Sequence, residues 1–152
     1  MKIKKIAVFC GFGSGTDPVF IESAWAMGAA LADRGTGLVY GGGSTGLQGA
    51  LARGALEKGG QVVGVMPRML AEKGLALEDL EILYVVKDLP AHIRMMADLG
   101  DGFIAPPGGL GTLEELGWGM EEAQACLEAA DCALDSGDLT TVQGSCKECF
   151  SI

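Results

Sequence analysis

Histidine occurs once in this chain of 152 residues, at His92. That scarcity removes two kinds of chemistry at the outset. A histidine-rich metal centre cannot be assembled, and no second ligand stands at metal spacing from His92, so no metal is expected. A Ser-His-Asp triad would have to be built around this one residue. Basic residues are also few. Eleven Lys and Arg against 20 Asp and Glu leave a net charge of -9, which disfavours nucleic acid and anionic membrane surfaces as partners. Apolar runs are short, and none approaches the roughly 20 residues of a membrane-spanning helix. The lysines and brief apolar run within residues 1–12 end in glycine, without the longer apolar core of a secretory signal, so a first strand and cytoplasmic residence are expected. Of five cysteines, only Cys146 and Cys149 have knuckle spacing. Cys126 and Cys132 lie upstream and Cys10 in the first apolar run, a pattern that suits reduced thiols better than zinc.

What the chain has in abundance is glycine, 25 residues, together with 49% hydrophobic content. The length suits one domain with a substantial core. The glycines cluster where apolar runs give way to helical patterns, which argues for an α/β protein and against a helical bundle. Charge is uneven: seven acids stand against Lys147 alone over residues 121–152, a local balance of -6 that leaves -3 for residues 1–120. We therefore expect a nucleotide-binding unit over 1–120 and an acidic helix or tail of the same domain over 121–152.

In chain order, Ile3 to Cys10 reads as a buried strand, followed by the turn Gly11 to Gly15. Asp17 is placed as an N-cap with Pro18 in the first helical position, and Phe20, Ala24, Met27 and Leu31 recur at helical spacing. Gly35 stops that helix. Gly37 to Tyr40 makes a second strand entering Gly41, Gly42 and Gly43, and a helix carrying Leu47, Leu51 and Ala55 follows. Gln61 to Met66 is a third strand, Met69 to Lys73 a short helical piece and Leu80 to Val86 a fourth strand. A helix over Asp88 to Leu99 is expected to turn Ile93, Met96 and Ala97 to the sheet, and Gly102 to Pro106 is the fifth strand. The alternation predicts a Rossmann-like, doubly wound parallel sheet with right-handed crossovers.

The fifth strand runs into P-G-G-L-G-T-L-E-E, Pro107 to Glu115. Glycines at a helix start expose backbone N–H groups at the positive end of the helix dipole, which is a cradle for phosphate. Thr112 and Glu115 also have capping-box spacing, so a structural role stands beside the functional one. Any one glycine turn is adequately explained as a tight turn. Three at one sheet edge favour a nucleotide or phosphate site.

These residues resemble the LONELY GUY family of cytokinin riboside 5'-monophosphate phosphoribohydrolases. The resemblance runs over Val8 to Gly11, Gly37 to Gly43 with Gly46 and Leu47, Gly64 to Arg68, and Pro107 to Glu115. It implies cleavage of the N-glycosidic bond of a nucleoside 5'-monophosphate such as AMP, without cofactor, in a homodimer. It also implies Glu115 as the catalytic carboxylate and a substrate site made from Gly42, Gly43, Gly108, Gly109, Gly111, Thr112 and Arg68. A carboxylate suits the oxocarbenium-like centre of such a reaction.

Three departures from the family pattern stand out. Ungapped alignment on Asp101 puts His92 where the family carries its catalytic arginine and Ile93 where it carries lysine, with Arg94 two positions away. His92 is thus either a pocket cation when protonated or a helix-surface histidine. Phe12 follows Cys10-Gly11 where the family has serine. The segment after Glu115, with Gly117-Trp118-Gly119 and no apolar strand beyond Leu127, is foreign to the family pattern. The alternative reading is a non-catalytic nucleotide or molybdenum-cofactor carrier on the same scaffold. Trp25 is expected on the first helix as dimer surface.

Overall fold

The computed structural model describes residues 3–106. Within that span five strands alternate with four helices: β1 (Lys5–Val8), α1 (Pro18–Asp33), β2 (Gly37–Tyr40), α2 (Gly46–Glu57), β3 (Val62–Pro67), α3 (Arg68–Ala71), β4 (Ile82–Val86), α4 (Leu89–Leu99) and β5 (Gly102–Ile104). All strand pairs are parallel, in the order β4-β3-β2-β1-β5. The doubly wound α/β sheet expected from the alternation is present. The acidic segment 121–152 lies outside the described residues.

The strands form where apolar residues run without interruption. All four residues of β2 and all six of β3 are buried, as parallel strands covered on both faces require. Side chains alternate between two cores. Val8, Cys10, Leu38, Tyr40 and Val62 pack with α2 and the end of α1, whereas Ala7, Phe9, Val39, Val63 and Val65 pack with Met96 of α4. The chain steps β1 to β4 in one direction and then returns past β1 to β5. Right-handed crossovers therefore put α4 on the face opposite α1 and α2. On that α4 face the rings of Phe9 and Phe103 stack at a centroid distance of 6.1 Å.

Helices α1 and α4 are both capped by aspartate. Asp17 Oδ1 accepts from Val19 N at 2.9 Å, and Asp88 Oδ1 accepts from Ala91 N at 2.9 Å. Proline occupies the first turn of each helix, where its missing N–H costs nothing. The first helix departs from its periodicity at one end. Phe20 is 44% exposed, and its ring covers Gly15 of the loop after β1 instead of entering the core. Trp25 is half-buried and borders a shallow groove with Ile21, Ala50 and Arg53. Edge strand β4 keeps Ile82, Tyr84 and Val85 exposed. No helix among the described residues is long and apolar enough to cross a membrane.

At the amino edge of the sheet, Asp101 Oδ2 accepts from Lys4 N at 2.8 Å and from Lys5 N at 3.0 Å. Asp101 N also donates to Lys5 O at 2.8 Å. This carboxylate sets the entry of β1 and β5 side by side and leaves their carboxyl ends adjacent.

Candidate functional site

The strand order reverses between β1 and β5, and a doubly wound sheet opens its ligand crevice at the carboxyl ends flanking that reversal. Phe9 N donates to Ile104 O at 2.9 Å there, so the two exits are held together to the rim. The loop after β1 leaves from one side of the crevice. Ala105 and Pro106 leave from the other, directly into the glycine motif. Gly108, Gly109, Gly111, Thr112 and Glu115 lie outside the described residues.

The turn after β2 sits behind the loop after β1. Gly42 has φ +80, and its carbonyl accepts from Leu77 N at 2.9 Å. Gly43 is held at both its backbone groups: its N–H donates to Gln48 Oε1 at 3.1 Å, and its carbonyl accepts from Tyr40 Oη at 3.1 Å. Gln48 Nε2 in turn donates to Cys10 O at 2.9 Å, which joins the ends of β1 and β2 through one carboxamide. Burial raises the Tyr40 phenol well above its ordinary range, so it remains a donor across the pH range in which proteins work.

The amino end of α2 meets protein atoms. Leu47 N donates to Gly13 O at 3.2 Å, and the carbonyl of Phe12 occupies the space a side chain at Gly46 would fill. Gly42 and Gly43 thus stand in a supporting row behind the loop after β1, with the Gly43 N–H already bonded. Among the described residues, no group of three or more His, Cys, Asp or Glu is placed to hold a metal ion.

Arg68 follows Pro67 at the carboxyl end of β3, exposed and two strands from β1. His92 is only 2% exposed and lies on the face of α4 that buries Ile93 and Met96, so the helix-surface alternative for it is overturned. The signal was its i, i+4 relation to Met96. Arg94 is exposed, about 200 degrees around the helix from His92. One helix therefore turns these two candidates to opposite sides. Gln48 escaped the reading of the sequence, although it lies three and seven residues before Leu51 and Ala55 on the buried stripe of α2. A polar residue on an apolar stripe is the mark of a buried clamp.

The family described as possible lysine decarboxylase matches residues 48–126. A cytokinin riboside 5'-monophosphate phosphoribohydrolase of Rhodococcoides fascians is 46% identical over 113 residues, covering 74% of this chain and 57% of that protein. One of Arabidopsis thaliana is 42% identical over 115 residues, covering 76% and 53%. The chain spans about half the length of these curated relatives. Among solved structures, a molybdenum cofactor binding protein from Rippkaea orientalis superposes with a TM-score of 0.64 at 26% identity, covering 77% of this chain and 70% of that one.

Proposed function

The chain belongs to the LONELY GUY family, and from that premise we propose that it hydrolyses the N-glycosidic bond of a nucleoside 5'-monophosphate such as AMP, yielding free base and ribose 5-phosphate. The observation that carries this reading is the reversal of strand order between β1 and β5, with P-G-G-L-G-T-L-E-E beginning three residues after β5 ends. The identity to phosphoribohydrolases, 46% and 42% in the two relatives above, supports the same chemistry.

In this proposal the 5'-phosphate is held by Gly108, Gly109, Gly111 and Thr112, where backbone N–H groups and a helix dipole offset its charge. Glu115 stabilises the positive charge that develops at the anomeric carbon as the bond to the base lengthens, and water adds to that carbon. Gly42 and Gly43 support the loop after β1 from behind. Arg94 is the permanent cation on α4, on the side of the helix turned away from His92, and Arg68 is a second cation, at the carboxyl end of β3. His92, being buried, acts on the site from within the α4 packing. The site works as a homodimer in the cytoplasm, without cofactor.

A second reading, a molybdenum-cofactor-type or nucleotide carrier, is favoured by the likeness to the Rippkaea orientalis protein and by Phe12 in place of a polar residue. Chromatographic detection of free base after incubating the purified full chain with AMP or isopentenyladenosine monophosphate separates the two. Release that disappears in Glu115→Gln while nucleotide binding survives establishes the hydrolase. Tight binding without release, in protein that melts cooperatively, establishes the carrier.

A further inference from the structure

We propose that Gln48 is a positioning residue: its buried carboxamide sets the spacing between the loop after β1 and the turn after β2, and so the shape of the wall against which the nucleotide binds. The inference rests on the nucleotide-site reading above and assigns a role to a buried residue whose partners are backbone groups.

Gln48 is 3% exposed, and each end of its carboxamide has a backbone partner from a different strand exit. Oε1 accepts from Gly43 N after β2, and Nε2 donates to Cys10 O after β1. The surrounding glycines fit this clamp closely. A Cβ at Gly41 would stand 2.7 Å from Gln48 Oε1, and a Cβ at Gly43 would stand 2.7 Å from both Gln48 Oε1 and Phe12 Cε1. The absent side chains of Gly41 and Gly43 are therefore the space that the carboxamide and the Phe12 ring occupy. The turn after β2 is glycine-rich so that α2 can reach through it to the loop after β1.

Three further bonds make the arrangement rigid. Tyr40 Oη holds the Gly43 carbonyl, Leu77 N holds the Gly42 carbonyl, and Leu47 N holds Gly13 O of the loop after β1. Gln48 bonds both strand exits with one side chain. A buried carboxamide with both ends bonded has one low-energy orientation, because either bonded group left unpaired would carry a desolvation cost. Reactive geometry is sensitive to such a support, since a displacement of about 1 Å away from the chemistry can cost on the order of 100-fold in rate.

The test is Gln48→Met, which keeps the length of the side chain and removes both hydrogen bonds, with Gln48→Glu as a second variant that keeps the acceptor for Gly43 N. Tyr40→Phe removes the side-chain hold on the other backbone group of Gly43. Each full-length variant is first shown to melt cooperatively. Base release from AMP is then measured as kcat and KM, and AMP affinity by calorimetry, well below the melting temperature. The expected result for Gln48→Met is a loss of roughly 10- to 100-fold in kcat/KM. Its combination with Tyr40→Phe should depart from the product of the single effects, because the two side chains hold the two backbone groups of one residue, Gly43.

Unchanged kcat/KM in folded Gln48→Met or Gln48→Glu, beside an active wild type, overturns the inference and leaves the hydrolase standing. A wild type that binds AMP without releasing base, and whose affinity falls in Gln48→Met, overturns the hydrolase and upholds the positioning role. A folded wild type that neither binds nor cleaves AMP overturns both.

Discussion

Gly28 carries the contact between α1 and α2, and Gly28→Ala tests it directly. A Cβ at this position would overlap the carbonyl oxygen of Leu51 and stand 2.9 Å from Ala55 N and 3.0 Å from Leu51 C. Those are the carbonyl and amide that pair in the i to i+4 ladder of α2, so the added methyl would wedge against helix backbone with no side chain able to turn aside. Alanine brings a helix-propensity gain of about 1 kcal/mol. Overpacking a rigid contact costs about 1–3 kcal/mol, and a backbone collision belongs at the upper end of that range. The net expectation is a loss of about 1–2 kcal/mol, which for a chain of this size corresponds to a fall in Tm of roughly 2–8 °C. Thermal melts and urea titrations of the full chain measure it. Gly13→Ala serves as the reference, because nothing lies within 4 Å of its added Cβ and its φ is not positive, so its stability should stay within about 0.5 kcal/mol of wild type. If Gly28→Ala proves as stable as wild type or more so, propensity has won, and α1 and α2 do not meet backbone to backbone at Gly28.

Three further outcomes are expected. Asp88→Ala removes the acceptor of Ala91 N at the start of α4 and should cost about 1 kcal/mol by urea titration, with Asp88→Asn nearly neutral. Asp101→Ala leaves Lys4 N and Lys5 N without their carboxylate acceptor and should cost about 2 kcal/mol, seen also as faster amide exchange at Lys5, the more buried of the two. Glu115→Gln should lower base release from AMP by about 100-fold or more while AMP affinity changes little, a pattern that separates stabilisation of the transition state from binding. Retained turnover would remove Glu115 from the chemistry.

The sequence announced the elements whose causes are local. β2 was legible to the residue because glycines at 37 and 41 bound a three-residue apolar run, and α1 and α4 were legible at their starts because aspartate and proline together leave few other conformations. Three things were not legible, each decided by where an element sits in the assembled fold. Phe20 keeps helical spacing with Ala24, yet its ring lies against Gly15 and stays 44% exposed, so periodicity within one helix did not reveal which neighbours each turn meets. His92 shares a face with Met96, but a single polar residue beside an apolar stripe reads equally as its border or its centre until α4 meets the sheet.

The third is Gln48, and it changes what the glycine turns mean. From the sequence, Pro107 to Glu115 is the leading phosphate cradle, and Gly42 and Gly43 of the turn after β2 are candidates for the same substrate site. In the structure, the cluster after β2 is closed by Gln48, Tyr40 and Phe12, and the amino end of α2 bonds the loop after β1. Close backbone approach is the common cause of the glycines, but a side chain from the protein's own interior satisfies it here as well as a ligand would. The proposed chemistry therefore belongs at the reversal between β1 and β5, with the turn after β2 as the proposed buttress of one wall of that crevice.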